Sequence, residues 1–438
     1  MDIETIDRMI AESAIRTVIV AGTDSAGVLR GKRLTVPYFR HAVEDGVSFA
    51  SYILGTTTMD EVLPGLFDTG IPDVKGVIDL SSFRIAPWEE STAIVFMDWH
   101  DKDGNPHPLC PRSALKRKVA QAREMGFREL ASLELEFFLL PIPLDEIRAG
   151  RWTGLEPASK DIHCYSVFEG HFFEPIIGKL RECFPEEIEA CLPEWGQGQF
   201  EVNLYRSGAV AMADSAVLLR LATKQIAAQA GATATFMAKL REDLSGSSGH
   251  IHISLKDART GASVFHDPER PLRLSITFEQ FLAGNLDVFA PSALFYAPNV
   301  NSYKRMQSMS FAGTTRSWGV DNRTVGFRAI NESAGKARLE VRLGGADLNP
   351  YLALAGLRGI REQLTPPAPA TGNSYDQDVQ KIPASLADAI AATENSAAIR
   401  EVLSPELVDN ALRIARFELG VFQKTVTDLE RRRYLETV

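Results

Sequence analysis

The sequence predicts an α+β protein in two parts, a small amino-terminal one and a larger one after it. Three observations carry this. A chain of 438 residues is longer than one small core organises. Its first hundred residues read as short strands punctuated by turns. Beyond them, helical stretches alternate with strands. With 45% hydrophobic and 24% charged residues, the composition is that of an ordinary globular protein.

In chain order, residues 17–22 form the first strand, and 23–27, with Asp24, Ser25 and Gly27, form a turn cluster that leads into a strand over 28–32. A further strand spans 92–97. Residues 101–108, rich in Asp, Gly, Asn and Pro, form a loop, so the boundary falls there and divides the chain into 1–108 and 109–438. Ser113 is read as the cap of a basic helix ending near Gly126. An Ala-rich helix covers 212–229, a proline-rich surface loop follows Thr365, and residues 405–434 make one or two closing helices.

Lys and Arg number 47 against 57 Asp and Glu, a net charge of −10, which speaks against nucleic acid and an anionic membrane surface as partners. The acidic start, Met1-Asp2-Ile3-Glu4, lacks the order of a signal peptide, and no apolar stretch reaches the length of a membrane span. The four cysteines, Cys110, Cys164, Cys183 and Cys191, show no paired or zinc-binding spacing. These features predict a cytoplasmic protein.

Function is carried by four short segments of strict alternation. Glu134 and Glu136 share one face of 133–137, and Glu201 and Asn203 share one of 200–204. His250, His252 and Ser254 line up in 250–255, as do Arg338, Glu340 and Arg342 in 338–343. A strand has period two, so each set projects from one side while the apolar residues between pack inward. Any one of these alone reads as a solvated strand face. Together they hold Glu, His and Arg with no Lys. Neighbouring strands would crowd the carboxylates of Glu134, Glu136, Glu201 and Glu340, which need cations between them to stay ionised. Carboxylates with an occasional imidazole suit Mg2+ or Mn2+. The arginines suit a phosphate or carboxylate ligand beside the metals. Gly246-Ser247-Ser248-Gly249 lets backbone approach a ligand, and Arg323 with Arg328 forms a second pair able to clamp phosphates.

In this order, these motifs resemble the glutamine synthetase superfamily over nearly the whole chain. The resemblance rests on Glu134-x-Glu136, the run from Glu194 to Glu201, Gly246 to His252, Asn301 to Arg305, Asp321-Asn322-Arg323, and Arg338-x-Glu340-x-Arg342 leading to Asn349-Pro350-Tyr351. It implies a small β-grasp domain followed by a catalytic domain whose curved antiparallel sheet is backed by helices. Glu136, Glu194 and Glu201 would hold one cation, and Glu134, His250 and Glu340 the second. His252, Ser254, Arg338 and Arg323 would lie along ATP. Arg305 and Arg342 would grip the glutamate carboxylates, with Gly246 and Ser245 beside them. Arg323, Arg328 and Arg305 would serve catalysis, by phosphorylation of the γ-carboxylate and displacement of phosphate by an amine. The resemblance also implies a homo-oligomeric ring, a dodecamer of two hexamers.

The sequence departs from the family on the amine side. Where ammonia-using members carry an acid in the small domain, this chain has Leu54. Where they carry a flap glutamate six residues past the arginine matching Arg305, it has Phe311. Ser245 replaces an asparagine. Ammonium needs carboxylates to attract and deprotonate it, so Leu54 and Phe311 predict an organic amine. An alkyl- or arylamine fits these residues better than a polyamine, although Asp60 and Glu61 keep a polyamine open. An ordinary glutamine synthetase and a catalytically silent family member are the alternatives.

Overall fold

The structure, a computed structural model, describes residues 1–68, 70–307, 310–352 and 356–438. Ser308 and Met309 of the flap segment lie outside the described residues.

The amino-terminal part is built on a six-stranded sheet. Its strands are β1 (Thr17–Thr23), β2 (Leu29–Thr35), β3 (Val47–Ala50), β4 (Asp73–Ile78), β5 (Arg84–Ile85) and β6 (Thr92–His100), ordered β2-β1-β6-β4-β3 with β5 also on β6. The turn cluster after β1 is closed by Asp24, whose carboxylate accepts from the amides of Ala26 and Val28. Two α-helices, Ile3–Glu12 and Val36–Asp45, and two short 3-10 helices, Ser51–Leu54 and Leu80–Ser82, accompany the sheet among the described residues. The strand-only reading of the first hundred residues missed them. Each α-helix buries a narrow stripe, Ile6 and Ile10 in one and Phe39 and Ala42 in the other, against Val18, Val20 and Val95.

The larger part carries an eight-stranded sheet. It contains β7 (Phe127–Leu140), β8 (Ile188–Pro193), β9 (Gln199–Leu204), β10 (Thr233–Thr235), β11 (Gly249–Asp257), β12 (Trp318–Val320), β13 (Phe327–Ile330) and β14 (Arg338–Val341). The order is β12-β13-β14-β11-β7-β9-β8, with β10 on β7, and every pairing except β12 with β13 is antiparallel. The four alternating segments are therefore neighbours. Their apolar residues Leu133, Leu135, Val202, Ile251, Ile253, Leu339 and Val341 are at most 1% exposed and form one core with the helix Ala209–Gln229.

The basic helix runs Pro111–Glu124, and its cap is Cys110, whose sulfur receives the Ser113 amide, rather than Ser113 itself. Proline at the first helical position shifts the start three residues earlier than the Ser113 reading. The closing segment is two helices, Pro405–Lys424 and Asp428–Tyr434. Among the described residues, no helix is long and apolar enough to cross a membrane.

Candidate active site

Register decides which side chains meet, because residues directly opposite in an antiparallel pair point to the same face. His250 stands opposite Glu134, His252 opposite Glu340, Glu136 opposite Glu201, and Arg328 opposite Glu340. One polar face thus runs across β13, β14, β11, β7 and β9.

Two groups of three potential ligands sit on it. Ligand atoms of Glu134, His250 and Glu340 lie within 4.8 Å of one another, and so do those of Glu136, Glu194 and Glu201. Glu194 comes from the turn between β8 and β9. That turn is locked by Gln199, whose carbonyl accepts from the Glu194 amide at 2.8 Å and whose side-chain oxygen accepts from the Gly196 amide at 2.8 Å. Gly198, at φ +65°, supplies the left-handed residue the turn requires.

The two groups differ electrostatically. Burial pushes the Glu136 carboxyl up to about 7, with Glu194 adding to it, despite the Ser248 amide donating at 2.7 Å. Glu201 is pushed up to about 9 by burial and by the charges of Glu134 and Glu136. In the other group, burial works against ionisation of Glu340, but Arg342, His252 and His250 outweigh it and hold its carboxyl at about 2. Glu134 is likewise held low, since His250 and His252 outweigh its burial. Burial and Arg342 bring His250 down to about 4, so its imidazole is neutral. Its Nε2 is buried and has no hydrogen-bond partner among the described residues. A neutral imidazole with an unused buried nitrogen, and three carboxylates crowded into one space, fit divalent cations.

The histidine and arginine positions read from sequence surround these groups. His252 places Nε2 2.9 Å from Glu134 and receives Arg338 Nε on Nδ1 at 3.2 Å. Ser254 follows on the same strand, opposite Leu130 and half-buried. Arg328 donates to Glu340 at 2.9 Å and pairs with Asp321. Arg342 pairs with Glu340 and donates to the Phe311 carbonyl at 3.0 Å. Arg323 is exposed on the turn after β12 and forms no hydrogen bond or ion pair among the described residues.

Two placements change the sequence reading. Leu54 is 1% exposed inside the amino-terminal core, and its carbonyl is held by Asn410 at 3.0 Å. Its side chain cannot line an amine pocket, because aligning it with a family acid fixes its position along the chain and not its direction. Arg305 is 2% exposed and already engaged, by the Ser248 hydroxyl at 2.9 Å and the Leu343 carbonyl at 3.1 Å. Gly246 explains the packing. A Cβ there would come 2.5 Å from Arg305 Cγ, so the missing side chain lets Arg305 pack against this glycine. Ser245 is half-buried beside it.

Four residues at the site were not singled out from sequence. Gln199 donates to Glu136 at 3.2 Å and to the Gly246 carbonyl at 2.9 Å. Its parity with Glu201 on β9 was a usable signal. Cys164 places its thiol 3.4 Å from Glu194, Tyr375 donates to the Ala312 carbonyl at 2.9 Å, and Trp195 meets Phe311 ring to ring. Through-space partners of this kind leave no periodic trace.

A sheet face with two carboxylate groups, one completed by an imidazole and ringed by arginines, has donors that suit divalent cations and phosphate. Residues 108–434 match the family described as glutamine synthetase, catalytic domain. A glutamate–isopropylamine ligase of Pseudomonas sp is 37% identical over 97% of this chain and 96% of its own. The γ-glutamylethanolamide synthetase GlnA4 of Streptomyces coelicolor is 34% identical over 100% of this chain and 96% of its own. A solved GmaS–ADP complex superimposes with TM-score 0.85 at 26% identity, covering 98% of this chain and 99% of that one. This chain belongs to the glutamine synthetase family.

Proposed function

We propose that this protein is an ATP-dependent ligase that joins the γ-carboxylate of L-glutamate to an organic amine. The observation that carries the amine is Phe311, an apolar ring half exposed beside Trp195 at the flap position where an ammonia-using relative would carry an acid. The named activities of two relatives, on isopropylamine and in making a γ-glutamylethanolamide, agree with it.

In the reading we favour, Glu136, Glu194 and Glu201 hold one cation, and Glu134, His250 and Glu340 the other. Bound there, Mg2+ or Mn2+ would neutralise phosphate charge and screen the carboxylates from one another. Arg323, with no hydrogen bond or ion pair among the described residues, is available to the γ-phosphate, and Arg338, set against His252, to the remaining phosphates. A γ-carboxylate oxygen of glutamate takes the terminal phosphoryl group, releasing ADP. The amine nitrogen then attacks the acyl carbon, the C–O bond to phosphate breaks, and the amine sheds a proton to leave the amide. Arg342, anchored to Glu340, and Arg328 stabilise charge on the acyl phosphate. The division into a β-grasp unit, 1–108, and a catalytic unit, 109–438, is supported by the two separate sheets, whose strands lie within residues 17–100 and 127–341.

Phosphate release from ATP with glutamate and Mg2+, measured across ammonium, alkylamines, arylamines and polyamines, tests this. Stimulation by an organic amine at least tenfold above ammonium is the expected result. Turnover driven mainly by ammonium would make it a glutamine synthetase, and no glutamate-dependent turnover would end the ligase reading.

A further inference from the structure

Phe311 does not stand alone. Its ring meets that of Trp195 edge to face, with centroids 6.1 Å apart and planes at 69°. The rings come from separate elements. Trp195 follows Glu194 on the turn locked by Gln199, and Phe311 lies on the segment after Arg305. Both are anchored to the candidate cation groups, Trp195 through its neighbour Glu194 and Phe311 through its carbonyl, which receives Arg342.

Phe311 is also held in a costly conformation. Its φ of +57° is left-handed, a region that β-carbon sterics disfavour for any residue with a side chain. The Arg342 bond to its carbonyl and the Tyr375 hydroxyl on the next carbonyl keep it there. This backbone turns the ring toward Trp195, yet the two rings remain 50% and 53% exposed. A pair serving only to pack would bury itself. Two fixed, half-open aromatic rings beside the reacting groups offer an apolar wall to something that arrives later.

We propose that Trp195 and Phe311 together form the acceptor wall and select a primary amine with an uncharged alkyl body. This rests on the ligase reading and narrows its acceptor. The nitrogen must reach the acyl carbon between the two carboxylate groups, and the alkyl body then lies on the rings. Ammonium has no body to place there. Each methylene moved from water onto such a wall raises kcat/KM by about fourfold until the wall is covered. A distal ammonium would have to leave water for the same surface, so diamines are disfavoured.

The test is kcat/KM for methylamine, ethylamine, propylamine, isopropylamine and 1,3-diaminopropane, with glutamate, ATP and Mg2+ saturating. The unaltered protein should climb about fourfold per methylene and should use the diamine less well than propylamine. In Trp195→Ala and in Phe311→Ala the propylamine-to-methylamine ratio should fall at least fivefold, and Trp195→Phe should retain most of it. Using the ratio cancels any general loss of activity or of folded protein. An unchanged ratio in Trp195→Ala, or a diamine used better than propylamine, overturns the proposal while leaving the ligase intact. Absence of amine-stimulated turnover in the unaltered protein removes the ligase reading, and this proposal with it.

Discussion

Gln199 shows how one uncharged side chain organises a charged site. Its amide nitrogen donates to Glu136, to the Gly246 carbonyl and to the Ser247 hydroxyl at 3.2 Å, while its oxygen caps the turn that delivers Glu194. One residue therefore orients two of three proposed ligands of a cation group. Hydrogen-bonding partners of metal ligands are worth about 10–100-fold in affinity when removed. Gln199→Ala should accordingly weaken Mn2+ binding by about that factor in a calorimetric titration, with the circular dichroism spectrum retained. Affinity within twofold of the parent would mean that Gln199 shapes the turn and nothing more. At this scale the sequence was informative where chemistry repeats along a strand, as with Glu134, Glu136, His250 and Glu340. It was misleading at Leu54, because nothing in the residues near 54 announces that the side chain faces inward. The link of Cys164 to Glu194 was not legible for a related reason, since the two lie thirty positions apart.

Among the elements, strand parity was the most legible feature, and register was not. Alternation in four short segments assigned a polar face to each, but only pairing could set His250 opposite Glu134 and Glu136 opposite Glu201. Helices with a narrow apolar stripe, such as Ile3–Glu12 with two buried isoleucines, escaped notice because so short a pattern competes poorly with turn signals. The helix Pro111–Glu124 was found from its composition, but its connecting role was not. Arg112 on its first turn is buried and reaches Asp98 on β6 at 3.1 Å, Asp79 at 2.9 Å and Asp214 on the helix Ala209–Gln229 at 2.9 Å. Tyr351 adds a bond to Asp214 at 2.6 Å. Arg112→Ala would leave buried carboxylates without their cation and should cost about 3–5 kcal/mol in a denaturant titration. The same cluster sets an acid limit. Asp79 loses something to burial, but Ser81, Lys116 and Arg112 hold its carboxyl well below the usual range. A folded pKa below the unfolded one gives stability that is present above the ordinary carboxylate range and lost as pH falls through it. Lys116→Met should therefore flatten the loss of stability below about pH 4, and an unchanged acid profile would assign that loss to other groups.

For the whole molecule, the question is whether two cores make two independent bodies. The strand β6 argues that they do not. Its residues from Thr92 to Trp99 are all buried, and the period of two divides them. Ala93, Val95 and Met97 pack into the amino-terminal core, while Ile94 and Phe96 pack into the large one with Leu115 and Leu180. A single strand thus serves as wall to both cores, and its two faces cannot be unfolded separately. Asn349 and Asn410 reinforce the seam by donating to the carbonyls of Ser25 and Leu54. In the proposed reaction such sharing would matter, because the arginines and carboxylates on the large sheet would have to keep their register while an acyl phosphate forms. Ile94→Ala and Val95→Ala remove neighbouring side chains from opposite cores. Each should lower stability, by about 2–5 kcal/mol for Ile94→Ala and somewhat less for the smaller valine. Each should also raise amide exchange in both sheets together, read from β1 and β11 by mass spectrometry. If Val95→Ala freed β1 while β11 stayed protected, the amino-terminal part would be an independently folding unit and β6 a mere contact. Joint loss would show that substrate-binding geometry on one sheet is underwritten by packing on the other.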